Sequence, residues 1–263
     1  MKKFLVIGNP IEHSLSPILH NYWIKKNTLN AVYNKKKLDL SDLENLIKEV
    51  KEKKIDGINV TVPFKNSIIP FLDKLSEEAK KTQSVNTIYL KDKMVVGHNT
   101  DIEGFELAIK STNYDLIGKK VLLLGAGGVS SSIIVALKNM QVNKIFLSNR
   151  THFKAQNLKK NFNELEIVEW GKIPDFDMII NATSLGLNND DIIDLDYTKI
   201  GADKFFYDII YNPPETSFLK LAKEKGNKTE NGIKMFVYQA QASFKIWNNV
   251  VPQIDNEVME LLN

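Results

Sequence analysis

The 263-residue chain contains no cysteine. That excludes disulfides, thiolate zinc sites, iron–sulfur ligation and thiol nucleophiles. Histidine is scarce as well: His13, His20, His98 and His152 are the four present, and their spacing matches no metal-ligand pattern, so no metal site is expected. No apolar run approaches the roughly 20 residues needed to cross a bilayer. Phe4–Ile7 is far too short an apolar stretch for a signal peptide, so a cytoplasmic protein without membrane contact is expected. An excess of one charge is missing too. The net charge of +3 comes from 35 lysines and arginines set against 32 acids. Runs such as Lys35-Lys36-Lys37 and Lys51-Glu52-Lys53-Lys54 read as solvated faces rather than a nucleic-acid surface. The scarcest cation is arginine, which occurs once, at Arg150.

What is present is ordinary for a globular chain: 43% hydrophobic and 25% charged residues, in a length that accommodates one large or two modest domains. Phe4–Ile7 runs into Gly8-Asn9-Pro10 as a buried strand enters a turn. Ser16-Pro17 reads as an N-cap followed by a first-turn proline, opening a helix to about Lys26. Ala31-Val32-Tyr33 reads as a second strand. Ser41-Asp42-Leu43-Glu44 has the form of a capping box for an amphipathic helix to about Lys54. Gly57–Val62 is a third strand stopped by Pro63, and Val85–Leu90 with Met94–Gly97 form a hairpin.

A second series begins near Lys119, with a strand at 120–124, a glycine turn, a helix at about 128–140 and a strand at 144–148. Further strands are expected at 165–169, 177–181 and 204–208, then helices from Met235 through Trp247 and over about Asp255–Leu262. Alternating strands and helices of this kind predict an α/β layer structure. No repeat or flexible linker occurs, and the domain boundary is expected inside a helix around residues 102–117.

The strand at 120–124 leads into Gly125-Ala126-Gly127-Gly128-Val129-Ser130. Glycines there permit a tight turn and let backbone amides approach a pyrophosphate at the following helix N-terminus; alone, the loop is a weak signal that an ordinary strand-to-helix turn also satisfies. Arg150 alters the balance. It follows the second strand of this βαβ unit, in Asn149-Arg150-Thr151, where an acid would bind the ribose hydroxyls of NAD and an arginine receives the 2′-phosphate of NADP. Arginine's planar fork grips phosphate bidentately, which a lysine cannot. Thr151 and Lys154 can add a hydroxyl and a second cation.

Such a cofactor moves hydride, and a proton must move with it. The tyrosine–lysine pairs at Tyr22/Lys26 and Tyr33/Lys37 precede the glycine loop and read as surface residues. What remains are two polar clusters at strand ends, Asn59-Val60-Thr61-Val62-Pro63-Phe64-Lys65 and Asn99-Thr100-Asp101. Alternation puts Asn59 and Thr61 on one strand face. Each cluster taken singly also suits a turn and a solvated lysine; together with Ser14, Ser16 and Asn86-Thr87 they exceed what turn chemistry requires.

These same segments resemble the shikimate dehydrogenase family over essentially the whole chain. Gly8-Asn9-Pro10-Ile11-Glu12-His13-Ser14-Leu15-Ser16-Pro17-Ile18-Leu19-His20-Asn21 is similar to the family's substrate-carboxylate motif, which implies Ser14 and Ser16 as ligands. Asn59–Lys65 is similar to its catalytic motif, implying Lys65 as acid/base residue with Asn59 and Thr61 on substrate. Val85-Asn86-Thr87 and Asn99-Thr100-Asp101 match two further substrate motifs, implying Asn86 and Asp101 on ring hydroxyls and Asp101 as a catalytic partner of Lys65. Asp208-Ile209-Ile210-Tyr211-Asn212-Pro213 resembles a late motif in which Tyr211 reaches substrate and Ile209 lies near the nicotinamide. Gln239 then completes the substrate site and Gly232 abuts the cofactor. Glu77, with Gly125, Ala126, Gly127, Gly128, Val129, Asn149, Arg150, Thr151 and Lys154, is implied on the cofactor side.

The resemblance implies an amino-terminal α/β substrate domain (1–101 plus 236–263), a Rossmann-type NADP-binding domain (102–235), and a cleft between them. It further implies NADPH-dependent, reversible reduction of 3-dehydroshikimate to shikimate, in a monomer or homodimer. Three positions depart from the family's pattern: Lys234 replaces a glycine, Ser84 replaces a glycine or alanine, and Lys154 replaces a second arginine. Two rivals remain at this stage, a quinate/shikimate dehydrogenase with relaxed cofactor use and a non-catalytic NADP-sensing module.

Overall fold

The two series of strand and helix signals become two α/β units, seen for residues 1–188 and 191–262 in a computed structural model. Residue 263, the end of the expected substrate-domain range, lies outside the described residues. One unit comprises Met1–Gly104 with Val237–Asn263, and the other Phe105–Phe236.

The first unit is built on β1 (Lys2–Gly8), α1 (Ser16–Lys26), β2 (Ala31–Lys37), α2 (Leu43–Lys51), β3 (Gly57–Val60), α3 (Phe64–Ser67), β4 (Lys74–Leu75), α4 (Glu77–Thr82), β5 (Thr87–Lys91), β6 (Met94–His98) and the start of α5 (Asp101–Lys110). Its sheet runs β2-β1-β3-β5-β6-β4, parallel at β2-β1-β3 and antiparallel through β3-β5-β6. The expected hairpin is β5–β6. Asp92 and Lys93 at its tip have φ of 51° and 63°, the paired left-handed conformation that matches the strand twist in a two-residue turn.

Leu43, Leu46, Ile47 and Val50 of α2 recur at helical spacing and are buried. They join Ile7, Ile58, Val60, Phe64 and Ile88 in the unit's core. Each such side chain contributes roughly 1.5–3 kcal/mol when fully buried.

Local readings at two helix starts, one helix end and one strand end need correction. Ser16 is the first residue of α1, not its cap: Leu15 occupies the cap position with no side-chain bond. Ser14 serves the turn instead, its Oγ accepting from the Ser16 N–H at 3.3 Å. The capping box is Asp39 with Asp42, around a 3-10 turn at Leu40–Asp42, because a second acid in register competes successfully with Ser41. The following helix stops at Lys51, short of the expected Lys54. The third strand ends at Val60, so Thr61 lies just beyond it.

The second unit contains β7 (Lys120–Leu124), α6 (Ser130–Asn139), β8 (Lys144–Ser148), α7 (His152–Asn161), β9 (Glu166–Val168), β10 (Met178–Asn181), β11 (Phe205–Asp208), α8 (Ser217–Glu224) and β12 (Lys228–Glu230). The sheet order β12-β11-β10-β7-β8-β9 is parallel throughout. Counted from the unit's own first strand this is the doubly wound dinucleotide-binding order, whose ligand crevice opens where the chain reverses direction, at the carboxyl ends of β7 and β10. The chain leaves this unit within α9 (Ile233–Asn248) and closes the first unit with α10 (Asn256–Leu262). Among the described residues no helix is long and apolar enough to cross a membrane.

Candidate active site

Lys65 owes its place to its neighbour. Phe64 is 1% exposed and anchors the single turn α3, while the Lys65 carbonyl accepts from the Val85 N–H at 2.8 Å, tying the turn to the segment entering β5. The Lys65 ammonium then lies 2.5 Å from Asp101 Oδ2, both side chains largely shielded, at 12% and 7% exposure. Asp101 opens α5, and Asn99 Oδ1 caps that start by accepting from the backbone N–H groups of Asp101 and Ile102 at 3.1 and 3.3 Å. A carboxylate at a helix N-terminus is stabilised by the helix dipole. Asn86 Nδ2 donates to Asp101 Oδ1 at 2.8 Å and, more weakly, to Gln239 Oε1 at 3.4 Å. Four residues picked out separately in the sequence, Lys65, Asn86, Asp101 and Gln239, thus form one hydrogen-bonded group.

Asn59 joins this group from β3. Its Nδ2 donates to the Asn86 carbonyl, Thr87 Oγ1 and Ser243 Oγ at 3.0, 3.2 and 3.0 Å, and its Oδ1 accepts from the Tyr33 hydroxyl at 2.7 Å. Tyr33 is therefore no surface residue, as its spacing to Lys37 suggested; it is 1% exposed, stacked on His20 at 4.2 Å. Burial forces His20 to stay neutral and pulls its imidazole down to about 3. Ser14 is half-buried beside Ser16, and Thr61, also half-buried, holds β1 through its N–H to the Ile7 carbonyl at 2.9 Å. Glu77 belongs to neither hydrogen-bonded group; it is exposed and pairs with Lys80 at 2.8 Å. The departing Ser84 is fully buried, its carbonyl accepting from Asn99 Nδ2 at 2.9 Å.

In the second unit the glycine loop leaves β7. Gly125 has a φ of 106°, and a Cβ there would come within 2.7 Å of the Ala182 carbonyl beyond β10, so glycine is needed for both conformation and space. A Cβ on Gly127 would meet nothing within 4 Å, so packing alone does not demand glycine there. Ser130 Oγ donates to the Gly125 carbonyl and accepts from the Gly127 N–H, each at 3.0 Å. Asn149 Oδ1 accepts from the Ala126 N–H at 2.9 Å, and its Nδ2 donates to the Thr151 carbonyl at 2.8 Å. Asn149 therefore ties the glycine loop to the Arg150 loop. Arg150, Thr151 and Lys154 are exposed at the start of α7, whose first turn carries no acid and no side-chain cap. The N-terminus of α6, following Gly128 and Val129, is likewise without acid or side-chain cap. Both ends leave backbone donors for anions.

The late motif is fixed by Asp208. This fully buried carboxylate accepts from Asn181 Nδ2, the Ile210 N–H and Thr216 Oγ1 at 3.0, 3.0 and 2.7 Å, and burial pushes it up to about 6. Ile209 and Tyr211 lie on the loop so held, with Tyr211 stacked on Phe236 at 4.6 Å and raised to about 12 by burial. Gly232 presses on the same loop: a Cβ there would sit 2.0 Å from the Ile209 carbonyl. Lys234 is accommodated without distortion, as a helical residue paired with Glu230 at 3.1 Å.

With this geometry in hand, comparison with known proteins is decisive. Residues 6–88 match a family model for the shikimate dehydrogenase substrate binding domain, and residues 106–210 one for shikimate / quinate 5-dehydrogenase. A Pelagibacter ubique protein named shikimate dehydrogenase (NADP(+)) is 61% identical over 262 residues, covering 100% of this chain and 99% of its own. The chain belongs to the shikimate dehydrogenase family. Among solved structures, shikimate dehydrogenase from Aquifex aeolicus superposes with a TM-score of 0.92 at 40% identity, covering 100% of this chain and 97% of that one. The Thermus thermophilus shikimate 5-dehydrogenase, solved in complex with NADP(H) and shikimate, gives 0.90 at 32% identity, with 100% and 98% covered.

Within the shikimate dehydrogenase frame, the structure adds residues that sequence reading passed over. Tyr33 and Ser243 carry hydrogen bonds of the polar network, and Asp208 holds the late loop. A polar residue one helical turn after Gln239 was the available signal for Ser243. For Asp208 the signal was an acid at the end of an otherwise apolar strand.

Proposed function

We propose that this chain is an NADP-dependent shikimate dehydrogenase, an oxidoreductase of the pathway that makes chorismate for aromatic amino acids. It interconverts shikimate plus NADP⁺ with 3-dehydroshikimate, NADPH and a proton. The observation that carries the reading is the shielded Lys65–Asp101–Asn86 group, 2.5 and 2.8 Å in its two bonds, in a chain of this family. The first unit is the substrate-binding domain and the second the NADP-binding domain.

The second unit fits the cofactor on its own geometry. Gly127 keeps open a space that a side chain would occupy and packing does not require, beside a helix N-terminus free of acids, as a pyrophosphate demands. Ala126, Gly128 and Val129 complete that loop, with Asn149 holding it. Arg150, Thr151 and Lys154 would take the 2′-phosphate. Ile209, backed by Gly232, would border the nicotinamide. When bound, NADP⁺ supplies the hydride acceptor for the carbinol carbon.

The chain's own side chains move the proton and hold the acid. Ser14 and Ser16 each donate one hydrogen bond to the substrate carboxylate. Asn59, Thr61, Asn86, Asp101, Tyr211 and Gln239 contact the ring substituents. Asn and Asp bonded to ring hydroxyls disfavour analogues lacking those hydroxyls, since a buried polar group would go unpaired. In the oxidative direction the hydroxyl proton passes to the Lys65–Asp101 pair; in the reductive direction the pair returns it to the forming alkoxide. The chain works as a monomer or homodimer. A diffusible nicotinamide cofactor goes with residence in the cytoplasm.

The test is initial-rate kinetics on the purified chain, following the absorbance of reduced nicotinamide with shikimate or quinate and NADP⁺ or NAD⁺. Turnover is expected with shikimate and NADP⁺ at a far higher kcat/KM than for the other three pairs. Cofactor binding without turnover would sink the enzyme reading.

A further inference from the structure

Three segments at the carboxyl ends of β10 and β11 converge on one buried carboxylate. Asp208 Oδ1 accepts from Asn181 Nδ2, at the end of β10, and from the Ile210 N–H, in the loop after β11, each at 3.0 Å. Asp208 Oδ2 accepts from Thr216 Oγ1, the cap of α8, at 2.7 Å. Asn181 in turn shapes the loop that follows it. Its Oδ1 accepts from the Thr183 N–H and hydroxyl at 3.0 and 2.7 Å, and its Nδ2 also donates to the Leu185 carbonyl at 3.0 Å. Gly186 closes that loop on the other two segments: its φ is 109°, and a Cβ there would meet Thr216 Cγ2 at 3.2 Å and Ile210 Cδ1 at 3.4 Å. The same loop reaches the glycine turn, since the Ala182 carbonyl is what a Gly125 Cβ would strike.

A count of donors explains why the residue at the junction is an acid. The Asn181 amide nitrogen and the Ile210 N–H can only donate. The Thr216 hydroxyl already accepts from the Leu219 N–H at 3.4 Å, so its proton turns to Asp208. A carboxylate ion accepts from all three, whereas a neutral carboxyl or an amide brings a hydrogen of its own to a place already faced by donors. Because Asp208 is fully buried, each bond lost there leaves a polar group unpaired. What the junction holds is the outward face of the late loop. Ile210 is buried, while Ile209 and Tyr211 on either side of it are half-buried. The Ile210 N–H is fixed by Asp208, and its carbonyl accepts from the Gly232 N–H at 3.0 Å. The Ile209 N–H is fixed by the Asn181 carbonyl at 3.0 Å.

We propose that Asp208 is a positioning residue for hydride transfer, joining the loops after β10 and β11 so that the nicotinamide-bordering Ile209 stays in register with the glycine turn that takes the pyrophosphate. The inference rests on the NADP reading of the second unit. Asp208 acts through backbone and neighbouring side chains, and is assigned no contact with cofactor or substrate.

The experiment is Asp208→Asn, Thr216→Val and Thr216→Ser in the full-length chain, with three readouts. The first is single-turnover hydride transfer with shikimate and NADP⁺. The second is affinity for adenosine 2′,5′-bisphosphate, which carries the adenosine phosphates but no nicotinamide. The third is amide hydrogen exchange of the cofactor-free chain. Asp208→Asn and Thr216→Val should slow hydride transfer about 10–100-fold, the scale of a misplaced reacting geometry. Their affinity for the bisphosphate should stay within about twofold of wild type, as expected for a distant site. Exchange across residues 208–219 should quicken in both, while β7 keeps its protection. Thr216→Ser keeps the hydroxyl and should match wild type in all three. Unchanged hydride transfer, an equal loss of bisphosphate affinity, unchanged exchange, or a Thr216→Ser chain as impaired as Thr216→Val would each overturn the inference. Should Asp208→Asn fail to fold, the same outcomes in Thr216→Val decide it. Wild-type chain that binds the bisphosphate but fails to turn over shikimate would instead overturn the functional reading, and this inference with it.

Discussion

Removing the Lys65 ammonium tests catalysis and stability at once, and the geometry says how to separate them. As the proton-transfer group, Lys65 should be worth roughly 10²–10⁴ in kcat, the ordinary range for general acid–base catalysis. Lys65 also lies 2.5 Å from a carboxylate with 7% side-chain exposure. Truncation to alanine leaves Asp101 buried without its cation, at a cost of about 3–5 kcal/mol when one partner of a buried pair is lost. The Asn86 amide and the start of α5 offset part of that. The Lys65→Ala chain should therefore be both inactive and less stable, and inactivity alone would prove little. Adding Asp101→Asn removes the stranded charge while keeping an oxygen to accept from Asn86. Urea unfolding should show the double variant recovering most of the lost stability, while initial rates at saturating substrates stay at the low level. Folded Lys65→Ala retaining turnover within a few fold would refute the assignment. So would a double variant that regains activity together with stability, since the first loss would then have been structural.

Arg150→Ala should weaken NADP⁺ binding ten- to hundredfold and leave NAD⁺ nearly untouched, as expected for one charge-assisted contact worth about 1.5–3 kcal/mol; titrations with both cofactors decide it, and equal losses would make Arg150 structural. Arg150→Lys should fall between, keeping charge without the fork. Ser16→Ala should raise KM for shikimate more than it lowers kcat, and since Leu15, not Ser16, holds the cap position of α1, urea unfolding should show little loss of stability. Acid should destabilise the fold through His20, which stays neutral down to about 3 when folded but takes a proton near 6.5 when unfolded. The stability this provides is complete above pH 6.5 and drains away as pH falls, reaching a loss of about 2 kcal/mol near pH 5; His20→Phe should remove that share of the slope, and identical pH profiles for the two chains would contradict it.

How much of this was readable beforehand depends on whether the causes are local in the chain. The strand at 144–148 was placed to the residue, because five residues of mostly apolar sequence between turn signals admit few alternatives. The hairpin was expected around Lys91-Asp92-Lys93, and its turn is the narrower Asp92-Lys93, since β5 continues through Lys91. Helix starts were harder. Ser16-Pro17 has the composition of a cap, yet the cap position fell one residue earlier, because Ser14 Oγ already satisfies the Ser16 N–H. Asp39 displaced Ser41 for the same kind of reason: two acids three residues apart cap each other's backbone, and sequence shows both options without ranking them. The edge strand β12, three residues of Lys-Thr-Glu, has no periodicity to detect and exists only because β11 offers it a partner.

The functional residues divide along the same line. Lys65, Asn86 and Asp101 stood out because a polar cluster at a strand end is unusual and resemblance gave the clusters a common purpose; that they touch is a matter of β3, β5 and α5 converging, which no spacing reveals. Tyr33 was misjudged for the converse reason. The run Tyr33-Asn34-Lys35-Lys36-Lys37 looks solvated, and four of its five residues are exposed. In a strand, though, only alternate side chains share a face, and at this edge the tyrosine alone turns inward, to where α1 presents the His20 ring and the Asn21 amide to receive it. A surface pair four residues apart and a buried link two strands away read alike until the neighbour across β1 is known. Asn59 is that neighbour, and its amide oxygen is what receives the tyrosine's hydroxyl.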